Sequence, residues 1–397
     1  MKAAERRTWA VIAGGGTGGH VYPGVALASE LLRRGHSAAS VRFVGARRGV
    51  EAKSTALAGF GATLLPGRGL VRRLSVKGAA QNLLALAGTC AGVFMAVVLF
   101  MRWRPAVVVS FGGYASLPCV AAAALYGVPV VVVNLDAVPG LVNRWASRLP
   151  GSVVFEGVPV RPEMATIDRG DEARRRAKEH LGLPAGAAVV AVSGGSLGSL
   201  RINRATARLA ALWASRTDRA VYHVVGLRDW ESFEPPALGA GGLTYRAVPY
   251  QEDMAALYTA ADVAVQRAGA SSVAELALAG LPSVLVPLPG APGGHQMANA
   301  RAMAVAGAAV VVPDDELDGE RLATELEALL TSPARLEAMG TSARARARPA
   351  AASELADLVE RAGTRVRGQR GPGGQAEGGG QLSEAPGEPG KAVASAS

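Results

Sequence analysis

Short β-branched runs alternate with longer Ala- and Leu-rich stretches along most of the chain. In the first half the strand-like runs are Trp9–Ala13, Val41–Gly45, Ala106–Ser110, Val130–Asn134 and Val153–Phe155. In the second half they are Ala188–Ser193, Val221–Val225, Leu243–Val248, Asp262–Gln266, Ser283–Pro287 and Ala309–Val312. Strand–helix alternation of this kind predicts parallel sheets covered by helices on both faces. Eleven strands exceed what one open doubly wound sheet usually holds, so the pattern predicts two α/β domains. The stretch Gly157–Pro162, with Pro159 and Pro162 after a strand, is the best boundary. From about Arg367 the chain turns to Gly, Pro, Glu and Ser without apolar periodicity, which predicts a disordered tail over 367–397.

One apolar stretch departs from the alternating pattern. Leu83–Met101 carries no charge and is flanked by Lys77 and by Arg102 and Arg104. Its length suits a bilayer span. Strand-like runs on both sides argue against one, because a span would separate strands of a single sheet. The expectation is a crossover helix with an apolar face left for a membrane surface; a fully buried helix is the plainer alternative. The run Trp9–Ala13 ends at a glycine cluster and is too short for a signal-peptide core.

Composition sharpens this picture. Of 397 residues, 49% are hydrophobic and 19% charged, enough to bury a proper core. Two cysteines, Cys90 and Cys119, exclude a disulfide framework and suit a reducing compartment. The net charge of +10 is unevenly placed: residues 1–110 hold fifteen bases and three acids, +12, leaving −2 for the rest. Arg47, Arg48, Arg72 and Arg73 belong to this excess. A basic first quarter points to an anionic partner: nucleic acid, a membrane surface or a phosphorylated substrate. No nucleic-acid motif accompanies it.

Three glycine-rich loops follow strands. The first, Gly14-Gly15-Gly16-Thr17-Gly18-Gly19-His20, opens a helix with apolar positions at Val25, Leu27, Leu31 and Leu32. Glycines let backbone N–H groups approach a phosphate, and the helix N-terminus adds a positive dipole end. Gly14-x-Gly16-x-x-Gly19 also fits a dinucleotide fingerprint, and Arg47-Arg48 after the second strand would suit NADP, so an oxidoreductase stays in view. Against it stand His20, which serves no purpose in holding a nicotinamide, and two further loops. These are Ser110-Phe111-Gly112-Gly113-Tyr114-Ala115-Ser116 and Ser193-Gly194-Gly195-Ser196-Leu197-Gly198-Ser199. Several such loops on two facing domains would line a cleft with N–H donors suited to a diphosphate on one side and a second anion on the other.

These residues resemble the MurG-type N-acetylglucosaminyltransferases, which convert lipid I to lipid II in peptidoglycan synthesis. The resemblance rests on Gly15-Gly16-Thr17-Gly18-Gly19-His20-Val21-Tyr22-Pro23, Gly112-Gly113-Tyr114, and Gly194-Gly195-Ser196 with Asn203. It extends through Ala268-Gly269-Ala270-Ser271-Ser272-Val273-Ala274-Glu275, Gly280-Leu281-Pro282, Pro287, His295-Gln296 and Asn299-Ala300, from about residue 9 to 345. It implies a GT-B fold of two Rossmann-like doubly wound domains with the active site between them. The expected division is 1–160 for the acceptor and membrane side, 161–345 for the UDP-sugar side, and a helix at 346–366 packing back on the first domain.

The resemblance implies inverting transfer of GlcNAc from UDP-GlcNAc to the muramyl C4 hydroxyl of an undecaprenyl-pyrophosphoryl acceptor. The setting is the cytoplasmic face of an anionic membrane, with cell-wall synthesis proteins as further partners and no cofactor. No Asp-x-Asp pair suits a metal, so leaving-group charge must rest on backbone N–H groups, helix dipoles and arginine. His20 is the candidate base; a helix N-terminus favours the neutral imidazole a base requires. Asp136 or solvent assistance is the alternative, as is a His20 that merely bonds its own loop. Thr17, Gly18, Gly19, Asp136, Arg161, Ser196, Glu275, His295 and Gln296 are the implied donor-binding residues. Gly15, Gly16, Gly112, Gly113 and Tyr114 would face the acceptor diphosphate. Glu275 would take both ribose hydroxyls, whereas Ser272-x-x-Glu275 by itself reads as a capping box. His36, His180 and His223 follow no motif and read as surface or core residues.

The chain departs from the family at three places. Val133-Asn134-Leu135-Asp136 stands in place of His-Glu-Gln-Asn, Val158 in place of an asparagine, and Leu197 in place of a glutamine. The nucleotide framework survives these changes better than the acceptor side does. A transferase for another lipid and a non-catalytic nucleotide-sugar scaffold therefore stand beside the main reading.

Overall fold

A computed structural model describes residues 8–15, 18–46, 59–67, 76–195 and 197–369. Among these residues twelve strands fall into two six-stranded parallel sheets. The first holds β1 (Ala10–Ala13), β2 (Val41–Ala46), β3 (Ala62–Leu65), β4 (Val107–Ser110), β5 (Val130–Asn134) and β6 (Val153–Glu156), in the order β3-β2-β1-β4-β5-β6. The second holds β7 (Ala188–Ser193), β8 (Arg219–Val224), β9 (Thr244–Val248), β10 (Val263–Gln266), β11 (Ser283–Leu285) and β12 (Ala309–Val311), in the order β12-β11-β10-β7-β8-β9. Each sheet is doubly wound, with the order reversing beside its first strand, as in dinucleotide-binding folds. The near-continuous Val and Ala of β1, β4, β5, β7 and β10 fits burial on both faces.

In the first half the helices are α1 (Gly18–Arg33), α2 (Val76–Trp103), α3 (Leu117–Tyr126) and α4 (Leu141–Ala146). Then come α5 (Pro162–Ala165), α6 (Asp171–His180), α7 (Leu200–Leu212), α8 (Met254–Ala260), α9 (Ala270–Ala279) and α10 (His295–Val305). The last are α11 (Gly319–Leu330), α12 (Pro333–Arg344) and α13 (Ala351–Gln369).

One strand escapes the sequence reading. β3 carries Ala-Thr-Leu-Leu, with only Leu65 buried, and sits at the sheet edge. Helix α2 then connects β3 to β4 of the same sheet, so both its ends lie on one side of any bilayer. The fully buried alternative is corrected: Leu84 is 62% and Phe94 71% exposed, while Ala85, Ala96 and Phe100 pack inward. Gly92 allows the close approach, since a Cβ there would lie 2.6 Å from the Pro66 carbonyl oxygen.

Helix α13 returns to the first sheet. Ala351, Leu355, Ala356, Val359 and Ala362 join its core with Ile12, Leu27 and Val109. Arg34, directly after α1, pairs with Asp357 at 2.5 Å and Glu360 at 2.9 Å. The helix runs to Gln369, beyond the point where apolar periodicity ends, and the rest of the proposed tail lies outside the described residues.

Candidate active site between the two sheets

Ligands of parallel α/β sheets bind beyond the carboxyl ends of strands, where the strand order reverses. In the first sheet that place lies between β1 and β4, beside the loops at Gly14 and Phe111–Ser116. Phe111 N–H donates to Ala13 O at 2.8 Å, tying the two strand ends together. Gly113 has φ +75°, and a Cβ there would lie 3.3 Å from Gly15 O and 3.6 Å from His20 Cε1. Only glycine supplies that conformation without strain and lets the loops close on the imidazole. His20, in the first turn of α1, bonds through Nδ1 to the Gly15 carbonyl at 3.2 Å. A carbonyl only accepts, so Nδ1 carries the hydrogen, and in the neutral ring Nε2 keeps the lone pair.

Asn143 of α4 braces this wall and was not visible in the sequence. It is buried, donates to Val133 O at 2.8 Å, and accepts from Ser110 Oγ at 3.3 Å. Gly112 lies against its amide. A polar residue following the apolar pair Leu141-Val142 is the only signal it leaves in the chain.

The second sheet places helix α9 against α1. Pro23 lies inside α1 and has no N–H, so the carbonyl four residues earlier, Gly19 O, loses its helical donor. Ser271 of α9 reaches that carbonyl at 3.4 Å, from the other half of the molecule. Nearby, Tyr22 Oη lies 3.4 Å from Tyr250 Oη, and the Arg161 guanidinium sits over the Tyr22 ring at 5.9 Å. Arg161 also lies 3.5 Å from Glu163.

Glu275 corrects the capping-box alternative. Helix α9 starts at Ala270 with Gly269 as its cap, so Ser272 already lies within the helix and Glu275 one turn further on. Gln266 Nε2 donates to Tyr258 Oη at 3.0 Å, and that hydroxyl stands 3.5 Å from Glu275 Oε2. Burial pushes the Glu275 carboxyl up to about 7, against the opposing pull of Arg161.

Asp136 lies on another wall. Asn299 of α10, buried, donates from Nδ2 to Asp136 Oδ1 at 2.8 Å and accepts the Ala137 N–H at 2.9 Å, joining the halves. Beside it is a cavity of about 260 Å³ lined by Asp136, Val158, Val273, Met303, Arg346 and Arg348 among others, and His20 is not part of its lining. Val158 thus packs where the family has an amide, and Leu135 packs on the first core. Asn299 Nδ2 also donates to Ala268 O at 3.1 Å, so Asn299→Ala strips three bonds from a buried site and a loss of about 2 kcal/mol is expected. Thermal unfolding of the full chain would show it as a lowered Tm.

At the second switch point, between β7 and β10, Ser199 caps α7 by accepting from Ile202 N–H at 3.4 Å. Arg267 at the end of β10 donates to Ser199 Oγ at 2.6 Å and to Val286 O at 3.1 Å, and pairs with Asp314 at 2.6 Å. Arg267 was missed because nothing in the sequence joins it to a loop 68 residues earlier. On α10, Gln296 Oε1 accepts the Leu288 N–H at 3.0 Å, leaving its NH₂ hydrogens for other partners. His295 stands one residue before it, at the start of the helix. Leu197 is 56% exposed at the loop tip. Gly16, Thr17, Ser196, Arg47, Arg48, Arg72 and Arg73 lie outside the described residues. The fold therefore gathers Gly15, Gly19, His20, Gly113 and Ser271 at one place, with Arg161 near Tyr22 and Tyr250. Asp136 belongs to the Asn299 wall.

Comparison with known proteins agrees with the two-sheet fold. The Glycosyltransferase family 28 N-terminal domain matches residues 10–155, and the Glycosyltransferase family 28 C-terminal domain matches residues 189–361. A relative from Desulforudis audaxviator (strain MP104C) is 37% identical over 374 residues, 88% of this chain and 97% of its own length. One from Anaeromyxobacter dehalogenans (strain 2CP-1) is 39% identical over 390 residues, 96% of this chain and 99% of its own. Both are described as UDP-N-acetylglucosamine–N-acetylmuramyl-(pentapeptide) pyrophosphoryl-undecaprenol N-acetylglucosamine transferases. The crystal structure of Acinetobacter baumannii MurG superposes with a TM-score of 0.67 at 27% identity, covering 90% of this chain and 99% of that one. The chain belongs to glycosyltransferase family 28, among the MurG-type N-acetylglucosamine transferases.

Proposed function

We propose that this enzyme transfers GlcNAc from UDP-GlcNAc to the C4 hydroxyl of MurNAc-pentapeptide-pyrophosphoryl-undecaprenol, with inversion. The observation that carries the mechanism is His20, pinned through Nδ1 to Gly15 between two glycine loops of one sheet, next to Gly19, whose carbonyl accepts from Ser271 of α9. The acceptor oxygen attacks the anomeric carbon as the bond to UDP breaks, and His20 Nε2 takes the hydroxyl proton. Gly15, Gly16, Gly112, Gly113 and Tyr114 hold the acceptor diphosphate. Thr17, Gly18, Gly19, Arg161 and Ser196 serve the leaving diphosphate, Glu275 the ribose, and His295 and Gln296 the sugar. Asp136 acts with Asn299 to set the neighbouring wall. In this reading the chain divides near 160 and again near 345, with 346–366 tied to the first unit. Radiolabelled UDP-GlcNAc offered with defined lipid acceptors tests the proposal. No transfer to the muramyl-pentapeptide lipid, or transfer only to another lipid, refutes the assigned acceptor.

The same reading puts the enzyme on the cytoplasmic membrane face. Leu83, Leu84, Leu86, Phe94 and Met101 are exposed on α2, and Arg102 and Arg104 stand exposed at its end. An apolar helix face beside cations suits an anionic bilayer surface, as an attached rather than a spanning element. Phe94→Glu should lower binding to anionic vesicles at least fivefold, and raised salt should weaken the wild type. Vesicle sedimentation checks both; unchanged partition would remove α2 from the membrane contact.

A further inference from the structure

Within the second half, a chain of buried polar groups leads to the loop after β7, and of its members only Asn203 belongs to a sequence motif. His223 lies inside β8, fully buried. Its Nε2 is 3.0 Å from Asn203 Oδ1, and its Nδ1 is 2.6 Å from Tyr245 Oη. An amide oxygen only accepts, so Nε2 holds the hydrogen and Nδ1 accepts the Tyr245 hydroxyl proton. Burial drives the imidazole pKa down to about 3, which keeps that single neutral tautomer. Asn203 passes the pattern on: its Nδ2 donates to Val225 O at 3.1 Å and to Asp229 Oδ2 at 3.2 Å. Every donor in the series points toward Asp229, which is itself buried and held by Arg228 Nε at 2.7 Å.

Asp229 and Val225 form the seat of Gly198. Gly198 has φ +89°, and a Cβ there would lie 2.3 Å from Val225 O and 2.8 Å from Asp229 Oδ2. Its N–H closes a turn on Gly195 O at 3.0 Å. Asn203 also sits on α7, the helix this loop opens, so the two groups that touch Gly198 and the helix carrying Asn203 are joined through one amide.

We propose that Tyr245, His223 and Asn203 are positioning residues that hold Gly198 and its described loop neighbours Gly194, Gly195, Leu197 and Ser199 in the arrangement that binds the donor diphosphate. This rests on the donor-site reading of that loop. Without the His223 hydrogen, the Asn203 amide can rotate, and its NH₂ no longer has a reason to face both Val225 O and Asp229. The loop then loses its floor while the sheet beneath it remains paired through β7 and β8.

UDP affinity of the full chain, measured by titration calorimetry, tests the assignment. His223→Leu should weaken UDP at least tenfold, Tyr245→Phe about threefold, and His223→Gln, which keeps a donor for Asn203, less than His223→Leu. In turnover the donor KM should rise while the acceptor KM stays put. Amide hydrogen exchange should quicken over 194–199 and not in β7. Tyr245→Phe removes one oxygen and decides the matter if His223→Leu fails to fold. Wild-type UDP affinity in the folded variants overturns the inference and leaves the donor site intact. A wild-type chain that takes up no UDP instead removes the donor-site reading, and the inference with it.

Discussion

Replacing His20 by alanine is expected to lower kcat by about 10²–10⁴-fold, the range a positioned general base contributes. Both KM values should change by less than about fivefold, because the phosphate contacts assigned to the loops are backbone groups that the substitution spares. The hydrogen bond from Nδ1 to Gly15 O leaves Nε2 as the basic atom, so an added small base can replace what alanine removes. Imidazole supplied in solution should therefore recover part of the lost kcat. Asp136 is the competing base, and its carboxylate is engaged by Asn299 at a wall that His20 does not share. Asp136→Asn, which keeps an oxygen acceptor for Asn299, should cost far less than His20→Ala. A His20→Ala enzyme retaining more than a tenth of wild-type kcat would sink the base assignment. Greater loss in Asp136→Asn would transfer the role to that residue.

The two sheets were legible because eleven of the twelve described strands overlap a short β-branched run, and the central ones, buried on both faces, are near-continuous Val and Ala. β3 was not, for a physical reason: an edge strand with one buried position has no need of a β-branched run, and Ala-Thr-Leu-Leu equally suits a helix. Strand ends shifted where a charged residue begins a buried strand. β8 starts at Arg219, whose backbone pairs with Ala188 while its guanidinium reaches Asp218 and Glu327. The apolar stretch before β4 announced a membrane-length helix, but its single connection within one sheet makes it a crossover.

Glycine loops were equally legible, since close backbone approach leaves a sequence mark. The contacts that assemble them were not. Ser271 meets Gly19 across 252 positions, Asn299 meets Asp136 across 163, and His223 meets Asn203 across 20 with both side chains buried. Periodicity reports which face an element buries, and it carries no information about which distant amide a polar side chain will find. The capping-box reading of Ser272-x-x-Glu275 failed on the same ground. Gly269, extended at φ −68° and ψ 149°, starts the helix earlier than the spacing suggested and turns Glu275 toward Tyr258.

Glu275→Gln is expected to separate stability from donor binding, in opposite directions. The folded carboxyl titrates near 7 against 4.5 for a free glutamate, so between those values the folded state binds more protons than the unfolded chain. Wild-type stability must then fall as pH rises from 4.5 to 7 and level off above, by up to about 3 kcal/mol at 1.4 kcal/mol per unit. Glutamine imitates the protonated acid and escapes this loss. The variant should match wild type at pH 4 and unfold at higher temperature at pH 8. Binding should run the other way. Two ribose hydroxyls need an ionised carboxylate to accept both, and glutamine offers a single acceptor oxygen, so UDP affinity should drop about tenfold or more at pH 8. Because hydroxyl donors favour the ionised form, UDP binding below pH 7 must expel a proton from wild type. Affinity should accordingly weaken as pH falls from 7 to 6, and calorimetry in buffers of different ionisation enthalpy should register the proton only when Glu275 is present. Flat wild-type affinity over that interval, with a variant binding UDP equally well, would leave Glu275 as a buried acid that destabilises the fold and serves no ligand.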